Sequence, residues 1–340
     1  MRVVKFTVLF LAVSLLHAQE IPPQERSPRE RIDAVNQSFQ LEDLTSRPWH
    51  LKLDVTIFDS KGKNPQQGTI EVWRSGNDRR TSFVFGDAFY SDVESGGKRY
   101  QGGKGDVPYF AHIILSHMLH PGPSPNDLAD AKPELRNQTF GKESFDCIML
   151  SQPIKTVPFA PLGLFPTYCL QHNTNKLVVS YDFGGQLVAV NAIGKFLDHT
   201  FPSALTINEG PNVVARANLA TLSTFTPTPS DFSPTVDETA APTNTPRIPG
   251  GVIAGKILTK VQPIYPQAAK DRHASGTVLM HAIIGREGHI HSLRPLTFPD
   301  PDLVIAALIA VRQWTYSPYL LNGEPTEVDT TITVNFNLNY

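Results

Sequence analysis

Between residues 226 and 250 the chain reads TPTPSDFSPTVDETAAPTNTPRIPG. Proline and threonine dominate there and large apolar side chains nearly vanish, so the stretch has little with which to build a core. It divides the 340-residue chain into two parts, each of which must find a core of its own. Read as an extended linker, at about 3.1 Å per residue, it would reach roughly 75 Å. Composition over the whole chain is ordinary, with 40% apolar and 18% charged residues and a net charge of −2. That balance gives no reason to expect nucleic acid or an acidic membrane surface as a partner.

The chain starts with Arg2 and Lys5, an apolar run from Phe6 to Leu16, then Ala18 before polar Gln19 and Glu20. A basic start, a short apolar core and a small-residue stop read as a signal peptide over residues 1–18. The run is shorter than the roughly 20 residues that cross a bilayer. The alternative is an uncleaved segment that anchors the protein in the inner membrane. Residues 19–29 read as a polar, disordered lead. Two cysteines are present, Cys147 in FDCIML and Cys169 in TYCLQ. In an exported chain an isolated pair reads as a disulfide rather than a metal site, with two buried free thiols as the alternative.

Residues 30–225 read as one antiparallel β-rich domain. Ile32, Val35, Phe39 and Leu41 or Leu44 mark a short amphipathic helix. Short alternating runs follow, beginning with LKLDVTIF, GTIEVWRS and RRTSFVFG. VPYFAHIILSHMLH does not alternate and predicts a buried helix, stopped by Pro121-Gly122-Pro123. KLVVSYDF and QLVAVNAI flank Gly184-Gly185, a two-residue hairpin signal. A curved sheet, half-barrel or sandwich with one or two helices fits this series.

Residues 251–340 carry a different order, α-β-β-α-β, so the fold class of the whole is α+β. GTVLMHAII and HIHSLRPLTF form a hairpin around GREGHI, and DPDLVIAALIAVRQW predicts a capped helix. The last run alternates Ile332, Val334, Phe336 and Leu338 against Thr331, Thr333, Asn335 and Asn337. It predicts a strand with one dry and one wet face at a free chain end, where an unpaired edge invites another chain.

Tyr265-Pro266, ASGTVLMHAIIGREGHI, ALIAVRQWTYSP and TEVDTTITVNFNL occur in that order. Together they resemble the C-terminal domain of the TonB family, whose members carry energy from the inner membrane to outer-membrane transporters. The resemblance implies a periplasmic protein that binds the TonB box peptide of an outer-membrane TonB-dependent transporter by β-strand addition. It implies Thr331, Ile332, Thr333, Val334, Asn335, Phe336, Asn337 and Leu338 as the partner-binding edge, with Tyr265 and Pro266 beside it. It also brings in an inner-membrane proton-driven motor complex as a partner, and pairing of two copies through the last strand. The first domain departs from that family, because a β-rich domain stands where a long proline-rich arm is expected. In its order of elements it resembles the periplasmic LolA/LolB-like lipoprotein carriers. The alternative function is therefore a lipid- or envelope-protein-binding carrier, with the C-terminal domain as a tether.

No enzyme is expected. Gly250-Gly-Val-Ile-Ala-Gly-Lys256 ends in Ile257 where a phosphate loop needs Ser or Thr. No G-x-S-x-G or H-E-x-x-H occurs. His112, His117 and His120 form one histidine group, and His289 and His291 a second. Either could grip zinc with a further ligand, but Cys ligands are absent nearby and carboxylates are sparse, so no metal is assigned and no cofactor is expected.

Overall fold

The computed structural model describes residues 26–338 except 40, 42–46, 153–159, 198, 242–245, 255 and 322. The signal-peptide reading of residues 1–18, and Leu44 of the first helix pattern, lie outside the described residues. Among the described residues no helix is long and apolar enough to cross a membrane.

Helix α1 (Pro28–Ser38) begins inside the stretch read as a disordered lead. Ser27 and Glu30 form a capping box and Pro28 occupies the first turn, so the start is locally encoded. Ile32 and Val35 are buried, and Arg31 reaches from the same helix to Asp146 at 2.9 Å.

Five strands follow as a meander: β1 (Trp49–Ile57), β2 (Gln66–Ser75), β3 (Asp78–Phe85), β4 (Ala88–Ser95) and β5 (Lys98–Lys104). Helices α2 (Tyr109–Leu119) and α3 (Pro125–Ala129) then carry the chain to the far side of the sheet. It returns through β6 (Lys132–Phe140), β7 (Glu143–Ser151), β8 (Thr167–Gln171), β9 (Leu177–Tyr181), β10 (Leu187–Phe196), β11 (His199–Glu209) and β12 (Asn212–Thr224). β12 pairs antiparallel with β1, which joins the two meanders into one sheet. One core holds α1, α2 and the sheet together, with Ile32, Val35, Ile114 and Met118 against Leu51, Leu53, Ile70 and Val72. The expected curved antiparallel sheet with helices is what forms. The turn at Gly184-Gly185 is a correction: both glycines have positive φ, but five residues, 182–186, separate the paired ends Tyr181 and Leu187.

The proline- and threonine-rich segment does not run free over its described part. A 3-10 turn at Pro229–Phe232 buries Phe232, and β13 (Thr239–Ala241) pairs antiparallel with β5 as the thirteenth strand. Arg80 on β3 donates to the carbonyls of Asp231 and Ser233 and to Glu238 at 2.6–2.8 Å. Gly102 lets the segment approach, since a Cβ there would lie 2.2 Å from the Asp237 carbonyl oxygen.

The C-terminal domain contains α4 (Gly250–Ala254), β14 (Ile257–Thr259), α5 (Gln267–Asp271), β15 (Gly276–Ile284), β16 (Ile290–Pro295) and α6 (Pro301–Val311). β17 (Thr315–Tyr316), β18 (Tyr319–Leu321), β19 (Glu324–Thr326) and β20 (Val328–Phe336) complete it. The expected α-β-β-α-β order is α5, β15, β16, α6 and β20, in a sheet ordered β16-β15-β20. Asp300 caps α6, accepting from the Asp302 and Leu303 amides, with Pro301 in the first turn. Val304, Ala307, Leu308 and Val311 of α6 share a core with Val278, Met280, Ile332 and Val334 of the sheet.

That core also includes Met149, Leu164, Phe165 and Phe183 from the first domain. Arg312, with 8% of its side chain exposed, donates to the Phe183 carbonyl, to Gln186 at 3.1 Å and to Asp182 at 3.3 Å. The two domains are therefore docked, with α6 lodged in the β9–β10 turn.

Candidate functional site

β20 is an edge strand, paired with β15 from Val328↔Ile284 to Phe336↔Gly276 without a register shift. Its even-numbered side chains, Thr330, Ile332, Val334 and Phe336, are buried, while Thr333 and Asn335 are exposed. The main-chain groups alternate as well. The Asp329 amide donates to the Pro246 carbonyl and the Asp329 carbonyl accepts from the Ile248 amide, so Asp329 faces away from β15. In an antiparallel ladder that alternation continues, placing the amides and carbonyls of Thr331, Thr333 and Asn335 on the same outer side.

The outer side has two halves. At its start, residues 246–248 lie along it, Arg247 bridges Asp329 in parallel, and the Thr330 hydroxyl donates to the Ile248 carbonyl at 2.7 Å. A Cβ on Gly250 would fall 2.2 Å from the Thr331 carbonyl oxygen, so α4 closes over that residue. Beyond Thr331, along Ile332–Phe336, no strand of the described residues pairs with this side. Asn337 and Leu338 continue past the strand end. On the wet face Asn335 accepts a hydrogen bond from the Thr277 hydroxyl at 2.8 Å.

Tyr265 and Pro266 sit by the far end of β20 rather than on its outer side. The Tyr265 ring meets Phe336 edge-on at 5.4 Å and its hydroxyl donates to the Ala274 carbonyl. Pro266 is the residue before α5 and sets the chain's entry into it. Cys147 and Cys169 are opposite each other on β7 and β8 in the first domain and are joined.

A second locus was not legible in the spacing of residues. A cavity of about 410 Å³ lies between the domains, with Phe83, Tyr90, Asp92 and Arg99 on one side and Arg286 and Glu327 on the other. His112 from α2 stacks on His291 from β16, with ring centroids 4.8 Å apart. His291 Nε2 is 2.5 Å from Glu287 Oε1, and its Nδ1 is 3.6 Å from Glu327 Oε2. Burial, together with the neighbouring His291 charge, pushes His112 down to about 4. Burial also opposes a charge on His291, but its bonds to Glu287 and Glu327 outweigh that and raise it to about 9. One member came from each of the two histidine groups in the sequence. Each group in isolation gave no sign of the other, because docking of the domains creates the contact. The glutamates of GREGHI and PTEV, Glu287 and Glu327, were the only available hint.

Residues 261–338 match the family model described as Gram-negative bacterial TonB protein C-terminal. Protein TonB of Vibrio cholerae is 31% identical over 83 residues, covering 24% of this chain and 34% of that protein. The chain thus spans about a third of the length of that relative. Among solved structures, a LolA superfamily protein from Nitrosomonas europaea aligns with a TM-score of 0.38 at 8% identity, over 62% of this chain and 98% of that one. A DUF1329 family protein from Desulfovibrio piger aligns with a TM-score of 0.36 at 10% identity, over 58% and 90%. Scores at that level say nothing about function. The C-terminal domain is similar to TonB C-terminal domains over residues 261–338, and the thirteen-stranded sheet lies outside that match.

Proposed function

We propose that this protein works in the periplasm and receives an extended segment of an outer-membrane transporter, the TonB box, as an added strand on β20. The observation that supports this reading is the half-open outer side of β20: regular strand, outward amides and carbonyls at Thr333 and Asn335, and no strand beyond them among the described residues. Strand addition draws affinity from main-chain hydrogen bonds and asks little of side chains, which suits a wet face of threonine and asparagine. The incoming segment lies along Thr333–Leu338, or runs further by displacing residues 246–249 from Asp329 and Thr330. A second copy of the chain would compete for the same edge.

The carrier reading asks more of the molecule. The apolar side chains of α1 and α2 pack with Leu51, Leu53, Ile70 and Val72, which leaves a lipid the 410 Å³ cavity beside Phe83 and Tyr90, whose walls also carry Asp92, Arg99 and Arg286.

Titration of the full chain with TonB box peptides tests the proposal, with Thr333→Pro as the informative variant. Proline there removes an outward amide and spares the ladder to β15, which uses the even-numbered residues. We expect binding to weaken about tenfold or more, from the lost hydrogen bond and the neighbouring geometry. Sedimentation of the same samples separates peptide capture from self-pairing. Equal binding by the wild type and Thr333→Pro, or no binding by the wild type, removes β20 as the site.

A further inference from the structure

We propose that His112, Glu287 and His291 form a divalent transition-metal site of the zinc class, placed between the two domains. Two imidazoles and a carboxylate are a donor set that zinc takes when three ligands come from protein and a fourth position stays open. The three residues come from α2, from the turn before β16 and from β16, and one donor atom of each lies within 4.8 Å of the others. Zinc–nitrogen bonds of about 2.0–2.1 Å put tetrahedral donors roughly 3.4 Å apart, so His112 has to approach by roughly 1.4 Å and the His291–Glu287 pair, now 2.5 Å apart, has to open by roughly 0.9 Å.

Three further features suit a metal. His291 offers Nε2 on the side of Glu287 and turns Nδ1 toward Glu327. With metal on Nε2, the Nδ1–H points at a carboxylate, the outer arrangement that fixes the tautomer and ring of metal-bound histidines. Gly285 has no positive φ, so its backbone does not require glycine; the space does. A Cβ on Gly285 would lie 2.3 Å from His291 Nε2 and 2.5 Å from Glu287 Oε1, in the gap beside the donor atoms. Finally, the 410 Å³ cavity is lined by all three residues, so the open coordination position faces room for water or a small ligand.

A plain ion pair between His291 and its two glutamates accounts for those three residues. The His112 ring packs on Phe83 at 4.5 Å, which holds this second imidazole beside the His291 and Glu287 donor atoms. With metal bound, α2 and the β15–β16 hairpin become one unit.

The test uses the full chain, stripped with a chelator and titrated with Zn²⁺ by calorimetry and with Co²⁺ by visible absorbance. We expect one equivalent to bind, with ligand-field bands of low coordination number for Co²⁺ and a melting temperature that rises with Zn²⁺. His291→Gln and Glu287→Gln should abolish the bands. His112→Gln should weaken binding at least tenfold, and Glu327→Gln tenfold to a hundredfold as an outer-sphere partner. Imidazole NMR of the wild type needs no variant: Zn²⁺ should move the His112 and His291 ring signals together. Failure to bind, unchanged affinity in His112→Gln and Glu287→Gln, or ring shifts confined to other histidines would each overturn the proposal.

Discussion

One stretch of chain, residues 226–250, meets the edges of both sheets and treats them differently. At the large sheet it adds β13 along β5, buries Phe232 and sets Glu238, whose side chain is 4% exposed, against Arg80 and Ser91. At β20 it makes a short main-chain bridge at 246–248, one hydroxyl bond from Thr330 and the close approach of Gly250 to Thr331. A sheet edge is sealed when side chains and charge are buried with it, and left usable when a few backbone bonds merely rest on it. The first edge is closed for stability; the second is half-closed and holds the outward groups that a partner strand needs.

The largest effect should come from breaking the sealed edge. Glu238→Ala leaves Arg80 only the Asp231 and Ser233 carbonyls, and losing one partner of a buried ion pair costs about 3 kcal/mol. Limited proteolysis should then cut within residues 226–245, while hydrogen exchange along β20 stays as it was. Unchanged proteolysis would mean that Glu238 does not hold the strap. Arg312→Met comes next. It removes hydrogen bonds from a buried guanidinium to the β9–β10 turn but also relieves the desolvation of that charge, so the net loss is about 2 kcal/mol. Calorimetry should show one melting transition for the wild type and two for the variant as the domains separate; an unchanged melting profile would exclude Arg312 as the main latch.

Acid should tell the two edges apart more gently. Burial pushes the Glu238 carboxyl up, but hydrogen bonds from Ser91, the Thr235 amide and Arg80 outweigh it and leave it below the usual value. A carboxyl lowered in the folded state adds stability that is complete above the unfolded value, near 4.5, and is lost as pH falls through the folded one. The β13 strap should therefore loosen in acid before the main-chain bridge on β20 does, as read by exchange of the β5 amides. The smallest effect is expected for Thr330→Val, which deletes one neutral hydrogen bond worth about 1 kcal/mol. It should speed exchange of the Ile248 amide and strengthen peptide binding a few-fold. A weakened peptide would instead make residues 246–249 part of the binding surface.

Much of this architecture can be read locally. Ser27-Pro28 with Glu30 starts α1, Asp300-Pro301 starts α6, and alternation from Thr331 onward specifies β20 and its dry face. The lead shows how far such reading goes: polar residues 26–29 look unstructured by composition, yet the capping box inside them begins a helix. The Gly184-Gly185 signal places a turn correctly and misjudges its length, since residues 182–186 lie between the paired ends; Gly184 also packs against Leu308 of the other domain. The inner edge strand was legible as an edge, but not that Asp329 and Thr331 would be covered.

What the sequence determined by itself is periodicity: two sets of strands, their wet and dry faces, the helix caps and a TonB-like order at the end. These depend on neighbours within a few residues, where backbone geometry and alternation dominate. What only the tertiary structure decided is which edges the proline-rich stretch covers and that His112 meets His291. Those contacts join residues far apart in the chain, and their energy comes from packing of whole elements, which no local pattern encodes.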